Sequence, residues 1–188
     1  MIINNDTIIK DDNPLIRQVS VPVSLPLSDE DRALLDDMFI YVKESTDPEL
    51  AEKKNLRPAV GISAIQVGVP KQMTAVIVKD YDKDGNEVVY QYKLVNPKIV
   101  SSSVQQAYLN GGEGCLSVPE EHEGYVVRSA RIKVKAYDAL TDRDVTIRAR
   151  GYLAIVLQHE LEHFKGILFY DHINKDDRFR VPEGAVEI

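Results

Sequence analysis

Apolar residues recur at helical spacing in two long segments of the chain. The first begins after Ser28, a typical N-cap residue, and predicts a helix to about Ser45. The second, 152–164, is apolar on most of its surface and predicts a helix buried in the core. A shorter helix is predicted at 14–18. The periodic apolar positions of the first long helix are Leu34, Leu35, Met38, Phe39 and Val42.

Segments rich in β-branched and aromatic residues occupy most of the chain between these helices. The segments 73–78 and 88–95 are joined by the turn-forming KDGN at 83–86 and predict a hairpin. The strands come before a single apolar helix late in the chain, and this order predicts an α+β fold. We expect mostly antiparallel sheets packed around that helix, which carries the sequence HELEH at 159–163. Residues 1–188 are predicted to form one domain. Further strands are predicted at 98–104, 125–127, 132–137 and 145–150, with a short strand near the end of the chain.

Composition and charge narrow the function classes. The 188 residues include 30 acidic and 23 basic ones, for a formal net charge of −7, and no run of Lys or Arg stands out. Nucleic-acid binding, including DNA binding, is therefore not expected as the main function, and small neutral or peptide substrates fit better. No apolar run is long enough for a membrane span and no secretory signal begins the chain, so we expect a soluble, cytoplasmic protein.

The strongest chemical signal is HELEH at 159–163. On a helix, His159 and His163 lie one turn apart on the same face and can both bind one divalent ion. Glu160 can then reach a water that the ion polarises and act as general base. The competing interpretation is an ordinary helix with partly buried histidines, but burying two imidazoles without a role leaves polar nitrogens to satisfy.

Two histidines and a water molecule leave a tetrahedral site one protein ligand short. Downstream, Phe169 occupies the position where a third histidine is expected, His172 comes three residues too late, and Glu183 lies between Pro182 and Gly184. Upstream, the only cysteine, Cys115, lies in the glycine-rich NGGEGCLSVP, and its thiolate would complete the set. Alternatively, Cys115 is a small buried hydrophobic residue, which is the commoner state of a free cysteine.

Three motifs together resemble those of the peptide deformylase family. They are VGISAIQ at 60–66, EGCLS at 113–117 and QHELEH at 158–163. The long segment at 46–58 and the short non-helical tail are similar to the branch of the family common in Gram-positive bacteria. The resemblance implies an enzyme that hydrolyses the N-terminal formyl-methionine of new chains and releases formate. It also implies ferrous iron as cofactor, with zinc, nickel or cobalt as substitutes.

The resemblance also assigns roles to individual residues. Cys115, His159 and His163 match the three metal ligands, and Glu160 matches the base that activates the metal-bound water for attack on the formyl carbon. Gln66 and the backbone amide of Leu116 match the donors that stabilise the oxyanion, a role that suits their chemistry. Without the motif, an exposed loop position would be the simpler interpretation of Gln66.

Substrate contacts are predicted from helix spacing and from the motifs. Tyr152, Ile155 and Val156 lie on the His159 face of the helix and are expected to wall an apolar pocket for a methionine side chain, although plain core packing is an equal alternative. Backbone groups at Val60 and Gly61 are expected to pair with an extended peptide, and Glu113 matches a family position near the substrate. We expect a monomer that acts on N-formylmethionyl peptides, with the ribosome as a further candidate partner.

The chain departs from the usual family pattern at several positions. Glu162 replaces the usual aspartate, and we hypothesise that it pairs with Arg128. The residues Ala59, Ile62, Ser63 and Ile65 replace four members of the first motif, which is expected to affect the substrate cleft more than the chemistry.

Three competing functions are weighed against a deformylase. The first is a metal-binding or peptide-binding module without activity, but such a module has no evident need for Glu160. The second is a zinc endopeptidase that takes Glu183 as its third ligand. The third is a calcium loop formed by Asp80, Asp82 and Asp84, but its twelfth position is Gln91 and its flanks are strand-like, so a hairpin turn is favoured.

Overall fold

Three α-helices and eight strands form the part of the chain that the computed structural model describes, residues 1–82 and 84–188. The helices are α1 (Asp29–Ser45), α2 (Pro48–Lys54) and α3 (Gly151–His163), with 3-10 turns at Pro14–Arg17, Ala64–Val67 and Phe169–His172. The strands are β1 (Gly61–Ser63), β2 (Met73–Tyr81), β3 (Glu87–Ser102), β4 (Gln106–Tyr108), β5 (Arg128–Ser129), β6 (Arg131–Asp138), β7 (Arg143–Arg150) and β8 (Val186–Glu187). None of the described helices is long and apolar enough to cross a membrane.

The strands form two sheets. The larger has the order β1-β2-β3-β6-β7 and is antiparallel throughout, whereas the smaller has the order β5-β4-β8 with a parallel β4–β8 pair. Helix α3 is apolar on nearly every side and contacts both sheets. Leu157 packs with Val76 and Val134 of the larger sheet, while Ile155 packs with Ala107 of the smaller one. The predicted α+β fold with mostly antiparallel sheets around this helix is confirmed.

Helix α1 covers the end of the larger sheet that carries β1. Ser28 caps it, since its side chain accepts a hydrogen bond from the Asp31 N–H over 3.1 Å. The buried face of α1 includes Leu35 and Met38, which join Ile62 of β1 in one apolar cluster. The predicted helix is therefore confirmed, and its packing fixes β1, which carries the first of the three motifs.

Three details of the predicted secondary structure are corrected. The strands expected at 88–95 and 98–104 are one strand, β3, with an irregularity between Val95 and Lys98. At that point Asn96 has a φ of 50° and its side chain makes two hydrogen bonds of 2.8 Å to the Val23 backbone, which compensates for the interrupted pairing. The strand expected at 125–127 lies instead at Arg128–Ser129. The polar segment 46–58 contains the unpredicted helix α2.

The predicted hairpin is confirmed by pairing of β2 with β3 from Met73↔Val95 to Tyr81↔Glu87. The KDGN turn includes Lys83, which lies outside the described residues. The Asp82 carboxylate stabilises the turn, because it accepts hydrogen bonds from the Asp84 N–H over 2.8 Å and the Asn86 N–H over 3.0 Å.

Candidate metal centre

Helix α3 and the loop between β4 and β5 bring three metal-ligating side chains together. The ligand atoms of Cys115, His159 and His163 all lie within 4.8 Å of one another, and this is the one such group of three among residues 1–82 and 84–188. The Cys115 Sγ atom lies 3.5 Å from Nε2 of His163. Glu183 is exposed in the tail and outside this group, so its proposed part in a zinc endopeptidase site finds no support.

A buried chain of charged groups fixes the first histidine. Nδ1 of His159 lies 2.8 Å from Oε2 of Glu113, which leaves Nε2 for the centre. Nε of Arg128 donates to Oε1 of Glu113 over 2.6 Å, and Nη1 of Arg128 donates to Glu162 over 2.8 Å. The hypothesised pair between Glu162 and Arg128 is therefore present. His172 lies 2.9 Å from the same Glu162 oxygen, which ties the 3-10 turn after α3 to the network.

The pKa values of Glu113 and His163 are both lowered at the centre, for different reasons. Burial acts to raise the pKa of Glu113, but hydrogen bonds from His159 and Arg128 outweigh it and lower the pKa to about 2. Burial lowers the pKa of His163 well below its usual value, and the charges of His159 and Arg128 add to this. His163 is therefore a neutral imidazole, the form whose lone pair binds a metal.

Glu160 follows His159 on α3, lines the same cleft and is held by the first motif. Ser63 Oγ donates to Oε2 of Glu160 over 2.8 Å and lies 3.0 Å from the Glu160 carbonyl oxygen. Burial raises the pKa of Glu160, which is 4% exposed. Gly61 leaves the room for this carboxylate, because a Cβ at position 61 would lie 2.6 Å from Oε1. Ser63, noted above only as a departure, thus contacts the candidate base directly.

The side chain of Gln66 has a fixed orientation at the centre. Its Oε1 accepts a hydrogen bond from the Ser63 N–H over 2.8 Å, so its Nε2 turns toward the cysteine loop, 3.5 Å from Cys115 Sγ and 3.2 Å from Ser117 Oγ. Gln66 is 1% exposed, so the interpretation as an exposed loop residue is wrong. The amide group is positioned as a donor beside the three ligand atoms.

Distant segments anchor the cysteine loop through its carbonyl groups. Nη1 of Arg57 donates to the Cys115 carbonyl over 3.1 Å and to the Val118 carbonyl over 3.0 Å. Nζ of Lys10 donates to the Leu116 carbonyl over 3.0 Å. Because the Cys115 carbonyl belongs to the same peptide group as the Leu116 N–H, the Arg57 contact also orients that donor. Sequence reasoning missed Arg57 and Lys10, since nothing local marks a partner so far along the chain.

A cleft of about 330 Å³ opens beside these residues. Tyr152, Ile155 and Val156 line it, although Ile155 and Val156 are also packed in the core. Strand β1 forms one wall and is an edge strand. The carbonyl of Val60 accepts from the Ile77 N–H across the β1–β2 pair, so the backbone groups of Gly61 point to the free edge. Glu113 also lines the cleft, but its carboxylate is occupied by His159 and Arg128.

Comparisons with known proteins agree with this arrangement. A family model described as polypeptide deformylase matches residues 5–179. The chain is 52% identical over 181 residues to peptide deformylase 2 of Geobacillus stearothermophilus, with 96% of each chain covered. It is 46% identical over 187 residues to peptide deformylase 2 of Bacillus subtilis strain 168, covering 100% of this chain and 99% of the relative.

Solved structures give the same result. A crystal structure of peptide deformylase from Ehrlichia chaffeensis superposes with a TM-score of 0.71 at 31% identity, covering 92% of this chain and 89% of that one. A class I type b peptide deformylase from Acinetobacter baumannii with Met-Ala-Ser bound has a TM-score of 0.69 at 30% identity, covering 92% and 100%. The resemblance inferred from the three motifs is confirmed, and the chain belongs to the peptide deformylase family.

Proposed function

We propose that this enzyme removes the formyl group from N-terminal formyl-methionine with the help of one divalent metal ion held by Cys115, His159 and His163. Members of the family remove N-formyl groups from nascent peptides. The observation that carries the finer proposal is the placement of the three ligand atoms within 4.8 Å of one another, beside Glu160 and an open cleft. Two imidazoles and one thiolate are a ligand set that suits ferrous iron or zinc, and nickel or cobalt are substitutes.

The surroundings of the three side chains fit a metal ion. The carboxylate of Glu113 fixes the His159 ring through Nδ1, which is the usual arrangement around a ligating histidine. The Cys115 thiol and the His163 ring are buried, with Sγ and Nε2 3.5 Å apart, so a divalent cation would be shared by both ligand atoms. A divalent metal held by these three residues would supply a Lewis acid for activating water and polarising the formyl group.

The side chains around the ligands supply the remaining chemistry. We assign Glu160 as general base: it takes a proton from the attacking water and delivers it to the departing amine nitrogen. Burial raises the pKa of Glu160 above that of an ordinary carboxyl group, which makes the carboxylate a stronger proton acceptor. We assign the Gln66 amide, whose Nε2 lies 3.5 Å from Cys115 Sγ, and the Leu116 backbone N–H as the donors that would stabilise the negative charge on the formyl oxygen.

The cleft geometry supports the predicted substrate contacts. The backbone groups of Gly61 at the free edge of β1 would pair with an extended peptide and bring its N-terminus beside Glu160, whereas Val60, whose carbonyl pairs with Ile77 in the sheet, would contribute to the cleft wall. The apolar wall of Tyr152, Ile155 and Val156 would receive the methionine side chain. Within the same proposal, residues 1–188 form a single catalytic domain that acts as a cytoplasmic monomer on chains emerging from the ribosome.

The test is release of formate from formyl-Met-Ala-Ser by anaerobically purified, iron-loaded protein. We expect turnover by the native chain and a loss of at least about 100-fold in kcat for Glu160→Gln, which keeps the shape but not the base. Cys115→Ala is expected to lose bound metal. Absence of formate from iron-loaded protein would overturn the proposal, and proteolysis by Cys115→Ala with metal retained would favour a peptidase.

A further inference from the structure

The outer surface of the larger sheet carries a row of cations, here called the basic face. Along β6, residues 131, 133 and 135 point away from α3, because the alternate residues Ile132 and Val134 pack in the core against that helix. The members of the basic face are Lys98, Arg131, Lys133, Lys135, Arg148 and Arg150.

Strand register places these cations directly opposite one another. The pairs are Lys98↔Lys135 between β3 and β6, and Lys133↔Arg148 and Arg131↔Arg150 between β6 and β7. Like charges directly opposite on neighbouring strands destabilise a sheet, so folding alone does not favour three such pairs in succession. The arrangement points to a use other than stability.

The charges of the basic face are not neutralised within the described residues. None of the six takes part in an ion pair among residues 1–82 and 84–188, and Arg131 contacts only the neutral Gln105 amide over 3.1 Å. The chain as a whole has a formal charge of −7, so the rest of its surface is strongly acidic. A polyanion would therefore be attracted to this face and, on average, repelled by the rest of the chain, which favours one orientation.

The side chains between the cations favour phosphate groups as the anionic partner. Ser101 lies opposite Lys133 and Thr146 lies opposite Lys135, so exposed hydroxyls alternate with ammonium groups. Hydroxyls and cations together are the usual donors to a nucleic-acid backbone. Asp144 is the acid at one end of the face, where Lys98, Lys135 and Tyr137 line a shallow groove. We propose that the basic face binds the phosphate backbone of RNA.

The choice of RNA rests on the proposed function. A nascent peptide is joined to tRNA and made on a particle rich in ribosomal RNA, so RNA is the polyanion present where the substrate is. Phosphate contacts without base contacts give affinity that is independent of sequence and falls steeply with salt. The face would thus concentrate the enzyme near its substrate without reading any particular RNA sequence.

The test is the fluorescence anisotropy of a labelled oligouridylate titrated with metal-loaded, full-length protein at several salt concentrations. Binding is expected at low salt, with a slope of log K against log salt of about −3 if four cations are engaged and a steeper slope if all six are. The charge-reversed double variant Lys133→Glu/Arg148→Glu is expected to bind at least about tenfold more weakly. The matched control, Lys43→Glu/Lys53→Glu, changes the net charge equally on exposed helical positions and should bind within about threefold of the native chain.

A stability measurement separates binding from folding. Lys133→Glu alone places a carboxylate opposite Arg148, so its melting temperature should equal or exceed that of the native chain while its RNA affinity falls. No binding at low salt, or equal losses in the two double variants, would overturn the inference. Binding to phosphatidylglycerol vesicles but not to RNA would overturn it in favour of a membrane surface. A native chain that releases formate but binds no RNA would refute this inference alone, whereas a native chain without formate release would refute the proposed function.

Discussion

Replacing Gly61 by alanine is expected to displace the candidate base without unfolding the protein. The added Cβ would lie 2.6 Å from Oε1, 2.8 Å from Cδ and 2.9 Å from Cγ of Glu160, well inside van der Waals contact. Gly61 is not among the glycines with positive φ, so alanine suits its strand backbone. The strain therefore falls on the Glu160 side chain, which must leave its 2.8 Å hydrogen bond with Ser63.

The expected magnitude follows from the role of a general base. A positioned base contributes about 10²–10⁴-fold to the rate, and a displacement of about 1 Å can cost about 10²-fold. We therefore expect kcat to fall about 100-fold, which corresponds to about 2.7 kcal/mol in the activation free energy. The substitution should lower the free energy of unfolding by only about 1–3 kcal/mol, the usual cost of overpacking. Metal content should stay unchanged, because no ligand moves.

The assay is steady-state formate release, with metal content and thermal melting measured on the same samples. Gly111→Ala is the matched control, since its Cβ would meet nothing within 4 Å. The decisive comparison is the double variant Gly61→Ala/Glu160→Ala. If the alanine acts through Glu160, it should cause no further loss once Glu160 is removed. A further loss of kcat in the double variant, or native kcat in Gly61→Ala, would refute the reasoning.

Three further predictions concern the groups that support the centre. Arg57→Met removes both hydrogen bonds to the cysteine loop, each of which contributes about 1.5–3 kcal/mol because the donor is charged. We therefore expect kcat to fall at least about tenfold and Arg57→Lys to recover part of the loss. Native kcat in Arg57→Met would contradict this. Arg128→Ala removes the buried guanidinium that pairs with Glu113 and Glu162, so it should lower the free energy of urea unfolding by about 3–5 kcal/mol and reduce metal content; no change in either would sink the idea. Burial acts to raise the pKa of Asp171, but its hydrogen bond with Arg17 outweighs burial and lowers the pKa. The ion pair therefore stabilises the fold at pH values above the usual carboxyl pKa. This stabilisation is lost as the pH falls through the lowered pKa of Asp171. Asp171→Asn should therefore flatten the acid limb of the urea stability profile, and an identical profile would contradict the assignment.

Sequence reasoning succeeds where the chemistry is local to one element. Helical periodicity alone places His159 and His163 of HELEH on one face. The apolar residues before HELEH are sufficient to predict that α3 is a buried helix. The same reasoning fails where an element depends on a distant partner. Strand β3 continues past Asn96 because the Asn96 side chain pairs with the Val23 backbone, which no local pattern announces.

The candidate site shows the same division. Ser63 reads as a departure from the family pattern when considered alone, yet its hydroxyl holds a carboxylate 97 positions away. Arg57 carries no motif, and its importance comes from two carbonyl groups of a loop 58 and 61 positions further on. The type of a residue therefore indicates which interactions its side chain can make, whereas the fold determines which partner atom it contacts.

The basic face extends this argument from contacts to charge. A search for runs of Lys and Arg overlooks it, because on a strand every second residue points into the core and apolar residues interrupt the cations. RIKVKAYD in β6 reads as an ordinary amphipathic strand, and RDVTIRAR in β7 does so as well. Only the register that sets Lys133 against Arg148 shows that two amphipathic strands combine their cations on one surface. Charge in a β-rich protein is therefore better judged by cross-strand pairs than by position along the chain.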